Sequence, residues 1–211
     1  MHRNIDLKVL YFGTPVVLIS TGNPDGTANL APMSSAWWLG NQCMLGMNTA
    51  SRTTQNLLRE GECVLNLPSA ELVGAVDRLA LLTGTPELSQ HKIDKGYRYE
   101  PDKFGAAGFT ALAADLVSAP LVAECPIQLE CELVSAVRFD RADLATAFTV
   151  RVVRAHVDEQ LIVPGTQHID PQRWDPLIMK FCEFFGNGSQ VHPSRLATAW
   201  EIPQTVPARP A

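Results

Sequence analysis

The sequence lacks any apolar run of the roughly 18 residues that a helix needs to cross a bilayer. Its first residues, Met1-His2-Arg3-Asn4-Ile5-Asp6, also lack the uninterrupted apolar stretch of a secretory signal. These absences argue against a membrane protein and against a secreted one. We therefore expect a cytoplasmic protein with no membrane partner.

Basic charge is also scarce. Lys and Arg total 17 against 22 Asp and Glu, so the formal net charge is −5. A nucleic-acid-binding protein needs a basic face to neutralise phosphates, so we expect no nucleic-acid partner. A cofactor with one phosphate needs only one locally positive pocket and is not excluded. The 211 residues, 46% of them hydrophobic, suit one domain with some elaboration.

Motifs for several common active sites are missing. There is no G-x-x-x-x-G-K-[ST] or G-x-S-x-G, and Gly186-Asn187-Gly188 lacks the third glycine of a dinucleotide-binding fingerprint. The five histidines show no ligand spacing, so we expect no metal site. The five cysteines form no C-x-x-C and are expected to be buried free thiols, with Cys125 and Cys131 the only near neighbours.

The residues that are present predict an antiparallel sheet in the first third of the chain. Residues 14–21 are β-branched and apolar, which is typical of a buried strand. Residues 22–26 supply turn chemistry, and further extended segments follow over 27–38 and 42–47. Long strands are predicted again over 121–139 and 145–157.

The run Ser51-Arg52-Thr53-Thr54-Gln55-Asn56 lies at the start of a predicted short helix that Gly61 ends. The first turn of a helix leaves N–H groups unpaired and carries partial positive charge, so it favours a phosphate. The hydroxyls and the Arg52 guanidinium would complete such a pocket. The same run also fits an ordinary capped surface helix, and helix chemistry alone leaves both interpretations open.

A second candidate site is Ala31-Pro32-Met33-Ser34-Ser35-Ala36-Trp37. Small residues in a strand let a flat ring approach the backbone, whose amides can hydrogen-bond the ring heteroatoms. The alternative is a barrel strand with its polar residues facing outwards. The residues by themselves do not decide between the two.

Four segments carry a family resemblance. They are Asp25-Gly26-x-x-Asn29-Leu30-Ala31-Pro32-Met33-Ser34-Ser35, Asn48-x-x-Ser51-x-Thr53-x-x-Asn56-Leu57, Val64-x-Asn66-Leu67-Pro68, and Ser118-Ala119-Pro120-Leu121-Val122-x-Glu124-Cys125-Pro126-x-Gln128-Leu129-Glu130-Cys131. In order and spacing they resemble the FMN-binding split-barrel proteins of the flavin reductase-like family, which includes flavoredoxin. The resemblance covers about residues 10–157.

This resemblance implies a mainly β (α+β) fold, a six-stranded antiparallel split barrel with flanking helices. It also implies a homodimer that binds FMN near the subunit interface, with FAD left open as a substitute. Two sets of cofactor-binding residues follow from it. The ribityl-phosphate set is Ser51, Arg52, Thr53 and Asn56, and the isoalloxazine set is Met33, Ser34, Ser35, Ala36 and Trp37.

The rest of the chain is assigned by position. We expect a split-barrel domain over residues 1–160, with an irregular insert over 83–114 that forms a lid or a mobile loop. Residues 161–211 are expected to form a C-terminal extension that packs on the barrel or on the dimer partner. Within it His192 is a candidate nicotinamide or substrate contact, although a histidine before proline is commonly a loop residue.

The predicted function is an FMN-dependent oxidoreductase that takes hydride from NADH or NADPH. The acceptor would be a free flavin passed to a partner monooxygenase, or a small organic molecule. Two alternatives stay open. One is a flavin-dependent oxygenase or biosynthetic enzyme that acts on a small aromatic substrate, and the other is a flavin-binding electron carrier without its own turnover.

Overall fold

The computed structural model describes residues 1–139, 144–186 and 188. The strands are β1 Phe12–Pro15, β2 Val17–Gly22, β3 Ala28–Met33, β4 Ala36–Leu39, β5 Gln42–Asn48, β6 Glu62–Leu67, β7 Leu82–Thr83, β8 Arg98–Tyr99, β9 Ala111–Leu112, β10 Leu121–Val122, β11 Ile127–Arg138, β12 Ala145–Val157, β13 Ile178–Lys180 and β14 Glu183–Phe185. The helices are α1 Arg52–Glu60, α2 Val73–Asp77, α3 Gln90–Asp94 and α4 Lys103–Ala107, with 3-10 turns at Ala70–Leu72 and Glu159–Leu161.

Seven antiparallel strands form the main sheet, in the order β3-β2-β6-β11-β12-β5-β4. The two edge strands, β3 and β4, are neighbours in the sequence and are separated only by Ser34 and Ser35. So short a connection requires the sheet to curl until the end of β3 meets the start of β4, although the two strands form no ladder with each other. Counted as one bent strand, β3 and β4 reduce the sheet to the six strands that the family resemblance implies.

Strands β2 and β6 are buried on both faces, which explains why β2 begins with the unbroken apolar run Val17-Leu18-Ile19 instead of an alternating pattern. Val17 and Ile19 point into the barrel, where Leu45, Leu65 and Phe148 are also buried. Leu18, on the other face of β2, and Val16, just before the strand, belong to an outer core. That outer core is completed by residues from outside the barrel, namely Val76, Leu79, Leu82, Phe104, Ala107, Phe109, Val122, Cys125 and Leu177.

Helix α1 starts and ends as its residues predict. Ser51 is the N-cap, and its Oγ accepts a hydrogen bond from the Thr54 N–H at 3.1 Å. Gly61 ends the helix with φ +72°, a conformation that glycine adopts without strain.

After Ser69, apolar residues recur at helical spacing and predict a further helix; they are Leu72, Val73, Val76, Leu79 and Ala80. The structure forms it in a shorter version, a 3-10 turn followed by α2, and three-residue turns at Leu79, Ala80 and Leu82 come after it.

The insert over residues 83–114 is fastened to the barrel. Strands β7 and β8 pair in parallel, and Phe104 and Phe109 are buried in the outer core. The chain after residue 160 also contacts the barrel. Strand β13 pairs with β1, and the Val16 N–H donates to the Leu177 carbonyl at 2.8 Å. The proposed boundary at residue 160 stays a prediction.

None of the helices in the described residues combines the length and the apolar character that a bilayer crossing demands.

Candidate functional site

The start of helix α1 presents unpaired backbone donors. Within the described part of the chain, the N–H groups of Arg52 and Thr53 have no acceptor, whereas those of Thr54 and Gln55 are bound by Ser51. The Arg52 side chain turns toward the insert, where its Nε donates to the Gly84 carbonyl at 2.9 Å. The helix start is thus joined to the insert through Arg52.

Gly84 lies so close to Arg52 that a side chain would not fit. A Cβ on Gly84 would lie 2.6 Å from Oδ1 of Asn29 and 3.1 Å from Cγ of Arg52. The absence of a side chain at residue 84 therefore lets the insert backbone approach both β3 and the start of α1.

Lys103 is a buried cation beside this helix start. It opens α4, is only 4% exposed, and donates from Nζ to Oδ1 of Asn29 at 3.1 Å. Burial, with smaller contributions from the positive charges of Lys92 and Arg52, lowers the pKa of Lys103 to about 8. No carboxylate among the described residues pairs with it. A buried ammonium without a counter-ion is costly, so this arrangement favours an anionic ligand.

A chain of hydrogen bonds fixes Asn29, the acceptor for Lys103. Nδ2 of Asn29 donates to Oγ1 of Thr53 at 3.0 Å and to Oγ1 of Thr21 at 3.4 Å. Both Asn29 and Thr53 are almost fully buried. The role of Thr53 in the folded chain is therefore to orient Asn29, which in turn positions Lys103.

Asn56 joins α1 to the turn between β2 and β3. Its Nδ2 donates to Oγ1 of Thr21 at 3.1 Å and to Oδ1 of Asn23 at 2.8 Å. Its Oδ1 accepts from Arg59 at 3.0 Å, and the residue has no exposed surface. Ser51 is likewise engaged, because its Oγ bonds both the N–H and the hydroxyl of Thr54. Direct contact of Ser51, Thr53 or Asn56 with a cofactor stays a prediction.

A cavity of about 230 Å³, which we call the polar pocket, lies between the β2–β3 turn, the start of α1 and the insert. Its walls are Asn23, Pro24, Asp25, Thr27, Asn29, Arg52, Gly84, Tyr99 and Pro101. Asp25 is the one carboxylate in this wall. Hydrogen bonds from the hydroxyl and the N–H of Thr27 hold the pKa of Asp25 below its ordinary value.

A second concavity, which we call the apolar groove, has a volume of about 400 Å³. It is lined by Leu10, Tyr11, Thr14, Ser34, Ser35, Ala36, Trp37, Met44, Leu45, Gly46, Phe139 and Ala147. Trp37 is half-exposed, whereas Ser34 and Ala36 are buried. Met33 packs against the barrel core instead of lining the groove.

The structure therefore separates the two predicted sets of residues. Of the helix set only Arg52 lines the polar pocket, and of the strand set Ser34 to Trp37 line the apolar groove. Strand β3 connects the two cavities, because Asn29 lies in the pocket wall and Ser34 in the groove wall. Five residues of extended chain span about 16 Å. His192 lies outside the described residues.

Sequence reasoning did not assign Asn29 or Lys103 to the site. They are 74 residues apart and meet only when the insert folds onto β3, so no local spacing indicates the contact. A signal was present, since Asn29 belongs to the motif that carries the resemblance and Lys103 is one of several cations in a Gly/Pro-rich insert.

One cluster in the described residues has the composition of a metal site. A ligand atom from each of Asp115, Glu130 and His156 lies within 4.8 Å of the others. The buried Glu130 carboxylate, however, accepts the N–H groups of Asp115, Leu116 and Val117 and a bond of 2.6 Å with Nε2 of His156. These bonds give the cluster a structural function, which is to fasten residues 115–117 to β11.

Fold and site together define a mainly β protein with a curled antiparallel sheet and a pocket at a helix start, with Arg52 in its wall and Lys103 buried nearby. The family model described as Flavin reductase like domain matches residues 9–178, so the chain belongs to the flavin reductase-like family. The uncharacterized protein YdfE of Bacillus subtilis (strain 168) is 37% identical over 190 residues, which cover 90% of this chain and 91% of YdfE.

Solved structures show the same fold. Flavoredoxin of Desulfovibrio vulgaris (Miyazaki F) superposes with a TM-score of 0.76 at 21% identity. The superposition covers 94% of this chain and 100% of the flavoredoxin chain. Nitrilotriacetate monooxygenase component B from Bacillus cereus gives a TM-score of 0.70 at 21% identity, covering 88% and 89% of the two chains. The predicted family and the predicted split-barrel fold are both confirmed.

Proposed function

We propose that the protein is an FMN-dependent oxidoreductase that takes hydride from NADH or NADPH and delivers it to a flavin or a small organic acceptor. The observation that carries the proposal is the position of Arg52 in the wall of the polar pocket, with the buried Lys103 bonded to another wall residue, Asn29. Lys103 has no carboxylate partner among the described residues. Membership of the flavin reductase-like family supports it.

The residues of the polar pocket fit a phosphate monoester. A dianion would accept a charge-assisted hydrogen bond from Arg52 in the wall, and it would offset the positive charge of Lys103 and Lys92 nearby. The free N–H groups at the start of α1 add donors of the kind that phosphate prefers. We assign this pocket to the ribityl-phosphate of FMN, held by Arg52, with Lys103 adding positive charge from beside Asn29 and with Ser51, Thr53 and Asn56 shaping it.

The apolar groove fits the other end of the cofactor. Its lining includes Gly46, which has no side chain, and Ala147, which has a small one, so both leave room for a flat ring, while Tyr11 and Trp37 supply aromatic surface. Ser34 and Ser35 add polar atoms next to the backbone of an edge strand. We assign the isoalloxazine to this groove, with Ser34, Ser35, Ala36 and Trp37 beside it and Met33 supporting the strand from the barrel core.

A bound flavin supplies the hydride chemistry, so the protein needs no side chain that acts as acid or base for this half-reaction. The protein's own residues bind the flavin and orient it. Arg52 fixes the anionic end of the cofactor with the charge of Lys103 nearby, and the groove limits access of water to one face of a flat ring. A protein that only binds and orients the flavin needs no catalytic motif, which agrees with the lack of one in the sequence.

The acceptor and the partners are part of the proposal. One solved relative is component B of a nitrilotriacetate monooxygenase, which supports a partner monooxygenase as the recipient of reduced flavin. We further propose a homodimer, because the edge strand β4 leaves Trp37 56% and Leu39 76% exposed. A cytoplasmic location completes the proposal.

Anaerobic mixing of the FMN-loaded protein with NADH or NADPH tests the function. We expect at least one of the two donors to reduce the bound flavin, seen as a loss of flavin absorbance at its visible maximum after mixing. No bleaching with either donor, together with full bleaching by a chemical reductant, would identify a carrier instead. Oxygen uptake that requires an added aromatic substrate would favour the oxygenase alternative.

A further inference from the structure

The apolar groove contains a phenol whose hydroxyl the proposed function does not use. Of the described residues that line the groove, Tyr11 alone is titratable. Its hydroxyl lies 3.4 Å from Oγ of Ser35, which also lines the groove. An O–H···O hydrogen bond ordinarily measures roughly 2.5–3.0 Å, so this contact is loose and either hydroxyl can turn toward a ligand atom.

The backbone on both sides of this hydroxyl pair is fastened. The Tyr11 carbonyl accepts the Phe181 N–H at 2.8 Å, and β1, which follows at once, pairs with β13. The Ser35 carbonyl accepts the Gly46 N–H, also at 2.8 Å. The absence of a side chain at Gly46 favours this approach, because a Cβ there would lie only 3.2 Å from Cβ of Ser35. The tertiary fold thus brings the two hydroxyls together in the groove.

We propose that Tyr11, with Ser35 beside it, donates a proton to the oxygen of an uncharged ring acceptor of the quinone class that binds in the apolar groove. This inference rests on the proposed function, because it takes the groove to be the site of the isoalloxazine. It assigns the acceptor class and a catalytic residue for the half-reaction that follows hydride uptake from NADH or NADPH.

The need for a proton donor follows from the stoichiometry. Reduction of a quinone to a hydroquinone takes two electrons and two protons, and a hydride accounts for both electrons and one proton. NADH or NADPH is the source of that hydride under the proposed function. The second proton comes from Tyr11, whose O–H bond breaks as an O–H bond forms on the acceptor oxygen. The Ser35 hydroxyl donates to the resulting phenolate, which then takes a proton from water.

The lining of the groove favours an acceptor without charge. None of the described residues that line it is charged. A carboxylate or sulfonate would lose hydration there without gaining a cationic partner, whereas a neutral ring gains aromatic contact. Trp37 and Phe139 are 56% and 63% exposed, so the groove is open to an acceptor that arrives from solvent.

Reoxidation of chemically reduced protein tests the role of Tyr11. The FMN-loaded protein is reduced anaerobically with stoichiometric dithionite and mixed with tetramethyl-1,4-benzoquinone, or with ferricyanide, which takes single electrons and no proton. We expect Tyr11→Phe to slow the quinone reaction at least about tenfold and to leave the ferricyanide reaction within about twofold of the wild type. Ser35→Ala should slow the quinone reaction by less.

The matched control is Tyr97→Phe, which removes a hydroxyl from a tyrosine of the insert that does not line the groove. It should change neither rate. A quinone rate that Tyr11→Phe leaves unchanged would overturn the inference. Equal slowing with both oxidants would overturn it too, because loss of a proton donor does not affect an oxidant that takes no proton.

Binding measurements test the acceptor class without turnover. Equilibrium dialysis against the oxidised FMN-loaded protein compares 2-methyl-1,4-naphthoquinone with 1,4-naphthoquinone-2-sulfonate. We expect the neutral compound to bind at least about tenfold more tightly, and Tyr11→Phe to weaken its binding by about 2- to 10-fold. Equal affinities in either comparison would overturn the inference.

Chemical reduction separates this inference from the proposed function, because no nicotinamide takes part. A protein that neither NADH nor NADPH reduces, but whose quinone reaction depends on Tyr11, would contradict the proposed hydride donor and support the inference. A protein that NADH or NADPH reduces, but whose quinone reaction does not depend on Tyr11, would overturn the inference alone.

Discussion

At the residue scale, Lys103 is the feature that most distinguishes this site from an ordinary capped helix. A surface helix start needs no buried lysine next to it, and an unpaired buried ammonium is unfavourable without a ligand. Its only described acceptor is a neutral amide oxygen, Oδ1 of Asn29. The stability of the flavin-free protein should therefore depend on whether Lys103 is charged.

We expect Lys103 to make the flavin-free protein more stable as pH rises from about 8 toward 10.5. The pKa of Lys103 is about 8 in the folded chain against an ordinary 10.5, so in this window the unfolded state holds one more proton. Stability rises with pH wherever the unfolded state binds more protons, here by about 3 kcal/mol over the window. Urea unfolding at several pH values measures the change.

The control for this experiment is Lys103→Met, which removes the titrating group and keeps an unbranched side chain. Buried thiols act in the opposite direction, because burial raises the pKa of Cys43 to about 12. The difference in unfolding free energy between the wild type and Lys103→Met, taken at each pH, therefore reports the contribution of the lysine alone. If that difference does not change between pH 7 and pH 10, Lys103 is not a buried cation.

We expect Arg52→Ala to weaken FMN binding by about 10- to 150-fold. Loss of one hydrogen bond to a charged group costs about 1.5–3 kcal/mol. Lys95→Ala, which removes an exposed cation of the insert outside the pocket wall, is the control. Fluorescence titration measures both affinities, and an Arg52→Ala affinity equal to that of the wild type would contradict the phosphate assignment.

At the element scale, three segments distant in sequence form the site, namely the turn after β2, the start of α1 and the insert. Asn56 ties the first two, and the Arg52–Gly84 hydrogen bond ties the second to the third. The insert is thus part of the pocket wall. A small change where the insert contacts α1 or β3 should therefore alter ligand binding in the pocket.

We expect Gly84→Ala to lower both FMN affinity and folding stability, the latter by about 1–3 kcal/mol. The new Cβ would lie 2.6 Å from Oδ1 of Asn29, so the insert or the Asn29–Lys103 pair must move. Gly74→Ala in α2 is the matched control, because its Cβ meets nothing closer than 4.0 Å. The control should be neutral or stabilising, since alanine favours helix more than glycine does. A Gly84→Ala protein that binds and unfolds like the wild type would show that the contact is not tight.

At the scale of the whole molecule, the barrel leaves one face incompletely covered. Trp37, Leu39 and Phe139 are 56%, 76% and 63% exposed, and β4 is a free sheet edge among the described strands. A protein with an uncovered edge strand and exposed aromatic residues tends to associate through them.

We expect light scattering at micromolar concentration to give twice the chain mass of 23.0 kDa. Leu39→Lys places a charge on the exposed edge strand and should shift the mass toward the monomer, whereas Leu58→Lys, on exposed α1, should not. A monomeric wild type would remove the homodimer from the proposal.

Much of the fold could be predicted because local residues determine it. Ser51 and Gly61 delimit α1, and the apolar run before the β2–β3 turn predicts a buried strand. The helix predicted after Ser69 forms as α2 but is shorter than its apolar pattern indicates, because apolar residues recur at helical spacing in tight turns as well, and the chain turns there into β7.

The sequence by itself determined the strands, the helix start and the family, because these depend on residues close together in the chain or on motifs in a fixed order. Only the tertiary structure decided what surrounds Arg52. Lys103 reaches Asn29 across 74 residues, and Gly84 reaches Arg52 across 32. Burial of a charge depends on what packs around it, and that is set when the insert closes against the barrel, not by neighbouring residues.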